Sequence, residues 1–286
     1  MKVIILAGGK TNLPDKFKNI PKSLIEIDKR PVLDYQLELL KKNRFNDIRL
    51  VLFYKSDEIL KYLKKKDKKA DITKKIGKVA GIEYIVESKA LGTGGAIRSA
   101  AKGMKKDFIV MNGDILTNFN ISAFVKAYRN SISQPRFFTS SPFFQKATPK
   151  ILPLEVSPLR KRVSHEDILG AMGVFYTQDT KDLGLIKTKN DRVVEFTEKP
   201  DYQYSGYINA GFYILSPKVF ENKIYKSKKI TEEFAIEQDI FPELAKNSQL
   251  LSFVHRGLWT DVGSEQGLKK AENIVSRLKE ENPLTK

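Results

Sequence analysis

No cysteine occurs anywhere in the 286 residues. Disulfides, thiolate nucleophiles and cysteine-ligated metals are therefore excluded, as expected of a protein of the reducing cytoplasm. Long apolar runs are missing too. No stretch approaches the length that spans a bilayer, and Met1-Lys2 passes straight into Val3–Ala7 without a signal-peptide pattern. The sequence thus predicts a soluble cytoplasmic protein without membrane association. Acidic residues are the minority charge, 34 against 51 lysines and arginines, for a net charge of +17. That excess is compatible with nucleic acid, an anionic membrane surface or highly charged small substrates. Lys61, Lys64-Lys65-Lys66, Lys68-Lys69 and Lys74-Lys75 lie on or beside an expected helix, where lysines keep a solvated face. No aromatic side chains interleave with them as a stacking platform would require. Nucleic acid is accordingly not an expected partner. Repeats and disordered linkers are also absent, and a hydrophobic fraction of 41% is that of a globular chain.

The apolar residues fall into alternating strands and helices. Lys2–Ala7 is a continuous apolar run closed by Gly8-Gly9 and predicts a buried strand. Strands are also expected at Ile48–Phe53, Ile82–Val86, Phe108–Met111, Ile168–Tyr176, Val193–Phe196 and Gly211–Leu215. Helices are expected over Pro31–Asn43, Asp57–Lys69, Thr93–Lys102, Thr231–Lys246 and Glu265–Glu280. This rhythm predicts one large α/β domain, Rossmann-like, with a mainly parallel mixed sheet flanked by helices. Residues 1–130 form a nucleotide-binding half in this reading, and 168–286 a second half ending in a helix. Between them, 131–167 carries five prolines and a cluster of phenylalanines without periodicity, an irregular insertion.

Ligands in such sheets bind beyond the carboxyl ends of the strands. Three candidate elements follow strands: Gly8-Gly9, the stretch from Glu87 to Gly95, and Asn112-Gly113-Asp114. Glycines let backbone amides approach phosphate, because no Cβ intervenes. In Leu91-Gly92-Thr93-Gly94-Gly95 a glycine turn enters a helix directly, and free amides at a helix start favour anions. Asp114 places a hard carboxylate oxygen where Mg²⁺ could be ligated. Farther on, Glu198-Lys199-Pro200 sets an acid beside a base, and Trp259-Thr260-Asp261-Val262-Gly263 brings a second isolated carboxylate. Each of these, alone, also has an ordinary reading as a turn.

In order, Gly-Gly, Pro21-Lys22, Leu-Gly-Thr-Gly-Gly, Asn-Gly-Asp, Glu-Lys-Pro, Asn209-Ala210-Gly211 and Trp-Thr-Asp-Val-Gly resemble the sugar-1-phosphate nucleotidylyltransferases. The likeness is to the branch of mannose-1-phosphate guanylyltransferases and glucose-1-phosphate nucleotidylyltransferases, and it covers nearly the whole chain outside the insertion. It implies the nucleotide-diphospho-sugar transferase fold, a nucleoside triphosphate and a sugar 1-phosphate as substrates, and Mg²⁺ as cofactor. By the same resemblance Leu6, Ala7, Gly8, Gly9, Lys10, Glu87, Gly92 and Thr93 contact the nucleotide. A carboxylate at Glu87 tilts the base toward guanine, hence GTP. Lys22, Asp114 and Lys199 are the implied catalytic residues, Asp114 and Asp261 the metal ligands. Gly184, Glu198, Lys199 and Asn209 are implied to hold the sugar phosphate, in a chain that could form a homo-oligomer. His165 and His255 fall outside these motifs and are expected to be structural or surface residues.

One motif departs from the pattern. The family's opening reads Leu-Ala-Gly-Gly-x-Gly-Thr-Arg-Leu, whereas this chain has Leu6-Ala7-Gly8-Gly9-Lys10-Thr11-Asn12-Leu13. One residue is missing, and Asn12 stands in place of an arginine that the resemblance assigns to the leaving pyrophosphate. Asparagine cannot supply a bidentate cationic fork. Lys10, Lys16 or Lys18 could replace it as a point charge, or the protein could be a regulatory subunit that senses a nucleotide or sugar nucleotide without turnover.

Overall fold

Val3–Leu6 forms β1, which lies near the centre of a ten-stranded sheet and has Val3, Ile4 and Ile5 fully buried. The computed structural model describes residues 1–11, 13, 17–133, 167–200, 205–221 and 230–280. Asn12, Lys16, His165 and nearly all of the 131–167 insertion lie outside the described residues. After β1 come β2 (Glu26–Ile27), β3 (Arg30–Pro31), α1 (Val32–Lys42), β4 (Ile48–Leu52), α2 (Ser56–Lys64) and β5 (Ile76–Val79). The first half continues with β6 (Ile82–Val86), α3 (Gly92–Ala100), β7 (Phe108–Asn112), β8 (Ile115–Thr117) and α4 (Ile121–Ser133). The second half holds β9 (Gly170–Thr177), β10 (Leu185–Lys189), β11 (Arg192–Thr197) and β12 (Gly206–Leu215). It closes with α5 (Ile236–Asp239), α6 (Phe241–Lys246), β13 (Leu250–His255), β14 (Trp259–Asp261) and α7 (Glu265–Glu280).

The sheet order is β10-β11-β13-β9-β12-β7-β1-β4-β6-β5, so a single mixed sheet joins both halves. Strands β7, β1, β4 and β6 are parallel. Antiparallel pairing dominates the second half, where among the described residues β13 and β9 are the one parallel pair. β1 is buried on both faces, as a continuous apolar strand must be. Val3 and Ile5 face a core with Leu33, Leu50 and Ile109, whereas Ile4 faces another with Ala96, Val110 and Tyr213. Full burial of such a side chain contributes about 1.5–3 kcal/mol. A third core packs α7, through Ala271, Ile274 and Val275, onto Leu13, Leu116 and Val262.

α4, β10, β13 and the short strands β2, β3, β8 and β14 are additional to the elements expected from the sequence, and three further departures have a clear physical cause. The helix expected over Thr231–Lys246 is two short helices, and Phe234 precedes both. Pro242, lacking an N–H and clashing with the preceding turn, prevents one continuous helix, and Ile240 takes φ −117° at the break. α2 stops at Lys64 rather than Lys69, because the following lysines repel one another and have no apolar face to bury. The edge strand β5, Ile-Gly-Lys-Val, carries too little apolar alternation to be seen in sequence. Among the described residues, no helix is long and apolar enough to cross a membrane.

Candidate active site

Register places the functional elements on one edge of the sheet. Leu6 pairs with Asn112 and Val51, and Leu52 with Val86, so four parallel strands end together. The antiparallel strands arrive from the other direction: Leu185 pairs with Ile208 and with Thr197, bringing Gly184, Glu198 and Asn209 to the same edge. The result is a cleft of about 1170 Å³. Every site residue expected from the sequence lines it: Leu6, Ala7, Gly8, Gly9, Lys10, Lys22, Glu87, Gly92, Thr93, Asp114, Gly184, Glu198, Lys199, Asn209 and Asp261.

At the centre, Lys22 Nζ donates to Asp114 Oδ2 over 3.0 Å. Asp114 follows β7, and Asp261 ends β14. They are held side by side because β8 pairs with β14 and the Val262 N–H donates to the Asp114 carbonyl at 2.8 Å. The Asp114 carboxylate raises the Lys22 pKa above its ordinary value, against burial, and Asp261 adds to the effect. Asp261 is pushed up by burial first and by the Asp114 charge second, while Ser264 and Lys22 oppose the shift. Two carboxylates that strain against each other fit a divalent cation bound through one or two side chains and substrate phosphates. Among the described residues no group of three acidic or histidine side chains forms a complete metal cage.

The glycine turn is built differently from the expectation. The N–H groups of Gly94 and Gly95 donate to the Phe234 carbonyl at 3.0 and 3.3 Å, so these amides are not free for an anion. Close approach of the chain from 140 residues away explains the glycines. At Gly92, with φ +68°, a Cβ would stand 2.4 Å from the Phe234 oxygen. At Gly8, a Cβ would meet the Phe53 nitrogen at 2.9 Å, which makes that glycine a packing requirement between β1 and the end of β4. Glu87, after β6, has its pKa pushed up to about 7 by burial, with a hydrogen bond from the Leu91 N–H opposing. Its Oε1 is buried without a hydrogen-bond partner, in a residue that lines the cleft.

At the other end, Glu198 and Lys199 follow β11, and Lys199 adopts a left-handed φ of +44°. Such strain is held only where the surroundings over-determine it. Burial raises the Glu198 pKa, and the nearby Glu237 carboxylate raises it further. Glu237, on α5, is itself shifted up by burial and accepts a hydrogen bond from the Thr93 hydroxyl. Asn209 Nδ2 donates to Tyr213 Oη at 2.7 Å, and its Oδ1 accepts from the Gly211 N–H at 2.9 Å. Its side chain therefore stabilises the bulge in β12 as well as bordering the cleft.

Sequence reading missed Glu237, hidden inside an expected continuous helix, and Lys181, Lys270, Phe53 and Tyr54, which also line the cleft. Of the lysines considered for the first loop, Lys10 lines the cleft 5.8 Å from the Tyr54 ring, whereas Lys16 lies outside the described residues. His255 is structural, as expected: it is buried, with Nε2 3.1 Å from Thr117 Oγ1 and 3.0 Å from the Leu258 carbonyl.

A model of the nucleotidyl transferase family matches residues 2–140 and 158–277. A mannose-1-phosphate guanyltransferase of Aspergillus oryzae is 30% identical over 270 residues, which is 92% of this chain and 61% of that protein. The bifunctional protein GlmU of Methanococcus maripaludis is 27% identical over 277 residues, 96% of this chain and 54% of the relative. The chain thus spans 54–61% of the length of these relatives. The crystal structure of HddC from Yersinia pseudotuberculosis complexed with GMP-PN superposes with a TM-score of 0.67 at 25% identity, covering 95% of this chain and 98% of that one.

Proposed function

The chain belongs to the nucleotidyl transferase family, and we propose that it transfers a nucleoside monophosphate from a nucleoside triphosphate to a sugar 1-phosphate, releasing pyrophosphate. One observation carries this reading: a single cleft joins the Lys22–Asp114–Asp261 cluster to the Glu198–Lys199–Glu237 cluster. The first suits a triphosphate and a cation; the second suits hydroxyls and a phosphate.

Asp114 and Asp261 would hold Mg²⁺, which supplies charge neutralisation at the α-phosphate when bound. Lys22 adds a fixed positive charge at the same point. Lys199 holds the acceptor phosphate, and Glu198 and Glu237 accept from sugar hydroxyls. The acceptor phosphate is already ionised at neutral pH, so its oxygen attacks the α-phosphorus in line without a protein base, and pyrophosphate leaves. Positioning and electrostatics are then the whole of the protein's task. The buried, unpartnered Glu87 Oε1 favours a base that offers N–H donors, as guanine does. Similarity to mannose-1-phosphate guanyltransferases and to a structure holding GMP-PN points to the same base.

Asn12 keeps a second reading open, a binding subunit without turnover, because the first loop lacks the family's arginine. The two are separated by incubating the protein with Mg²⁺, each nucleoside triphosphate and a panel of sugar 1-phosphates. Pyrophosphate release, fastest with GTP, is the expected result. Tight nucleotide binding with no release from any pair establishes the binding subunit instead.

A further inference from the structure

Gln36 is buried, 2% exposed, on the face of α1 that turns toward the sheet. Its Nε2 donates to the Asn112 carbonyl at 2.9 Å and to the Ile115 carbonyl at 3.1 Å. These two residues bracket Gly113-Asp114, so one side-chain amide ties both ends of the turn that presents Asp114. Two further bonds complete the frame: the Gly113 N–H donates to the Leu6 carbonyl at 3.1 Å, and the Asp114 carbonyl accepts from Val262. Chemistry fixes the orientation of the amide. A flipped amide would press Oε1 against two carbonyl oxygens, and in the present orientation Oε1 has no partner at all. A buried acceptor left unpaired costs about 1–3 kcal/mol, so the residue is not optimised for stability alone.

From this geometry we infer that Gln36 is a positioning residue for the metal carboxylate, acting through the Asn112–Ile115 turn without touching substrate. The inference rests on the assignment of Asp114 to the cation given above. The amide provides two donors from one atom without burying a charge. Methionine fills the volume but leaves two carbonyls unpaired, and glutamate, when ionised, sets oxygen against oxygen. Loosening the turn lets Asp114 swing toward Lys22 and away from Asp261, which weakens the paired site for a cation. Outer partners of metal ligands commonly tune metal affinity by about 10- to 100-fold.

Gln36→Met and Gln36→Glu should be compared with the unaltered protein in three measurements. These are Mn²⁺ binding followed by the electron paramagnetic resonance of free Mn²⁺, the Mg²⁺ concentration for half-maximal turnover, and thermal unfolding. Both variants are expected to weaken Mn²⁺ binding and to raise the half-saturating Mg²⁺ by about tenfold or more. KM for triphosphate and sugar phosphate at saturating Mg²⁺ should stay within about twofold, since Gln36 contacts neither substrate. Gln36→His, which keeps one donor, should fall between and serves if the other two fail to fold. Variants that melt earlier yet keep the unaltered Mn²⁺ affinity and Mg²⁺ requirement would overturn the inference, leaving Gln36 purely structural. An unaltered protein that neither binds Mn²⁺ nor turns over would instead overturn the metal assignment itself, before any Gln36 variant is compared.

Discussion

The two ends of the cleft carry similar residue types and do opposite things with them. Around Lys22, a cation sits in hydrogen-bond contact with one carboxylate and within electrostatic reach of another, which holds the lysine charged even though burial and the Asp114 charge push Asp261 up. Around Glu198, two half-buried carboxylates, Glu198 and Glu237, lie within electrostatic reach of each other, and their cation, Lys199, is exposed on a strained backbone. Burial pushes Glu198 and Glu237 up just as it does Asp261, but the first cluster also encloses a lysine beside its carboxylates. The lesson concerns enclosure rather than composition. Carboxylates around an enclosed lysine suit the phosphate and metal role proposed for the first cluster, and carboxylates whose lysine is exposed suit the hydroxyl-binding role proposed for the second.

The sharpest way to break the comparison is Asp114→Asn. It removes the charge that Lys22 answers and should lower turnover by about 10³-fold, read as pyrophosphate release. Survival of more than a tenth of the activity would remove Asp114 from the chemistry. At the other end, Glu198→Gln keeps the shape and abolishes the strong acceptor, so KM for the sugar phosphate should rise about 10- to 100-fold while KM for the triphosphate is unchanged. An equal effect on both substrates would mean that the two ends are not separate subsites. The join between them is tested by Gly94→Ala. A Cβ there would stand 2.1 Å from the Phe234 ring, and the strain should cost about 1–3 kcal/mol in chemical unfolding.

Smallest, and most informative about the base, is the pH response of Glu87, whose pKa is pushed up to about 7 by burial. Because the folded value lies above the ordinary 4.5, this group's stabilising contribution is complete at acid pH and is lost as pH rises through about 7. Guanine recognition needs the ionised form, so GTP affinity should rise about tenfold between pH 6 and pH 8 and level off above it. Calorimetric titration of Glu87→Gln should show that slope flattened. A slope equal in both proteins would take Glu87 out of base recognition.

Much of the site could be read in the sequence, because strand-end motifs are local: Gly8-Gly9, Asn112–Asp114, Glu198-Lys199 and Asp261 each announce themselves within a few residues of an apolar run. What stayed hidden was the reason for several of them. The Gly92–Gly95 turn looks like an anion cradle in sequence, yet its Gly94 and Gly95 amides are spent on the Phe234 carbonyl, contributed from the other half of the chain. Gln36 is one polar residue on a helix whose Leu33 and Leu40 are buried, and nothing near it in sequence predicts two carbonyls 76 and 79 residues away. Glu237 vanished into a helix pattern that Pro242 in fact interrupts.

The sequence by itself determined the main parallel strands of the first half with the helices α1, α2 and α3 between them, the family resemblance, and the carboxylates Asp114, Glu198 and Asp261, since apolar periodicity and turn chemistry act over short distances. Tertiary structure alone decided which of those groups meet. Pairing of β8 with β14 sets Asp114 beside Asp261, and packing of the Phe234 segment on the glycine turn bonds Thr93 to Glu237. Both depend on contacts between residues about 140 or more apart in sequence, where only the packing of the two halves against each other fixes the distance.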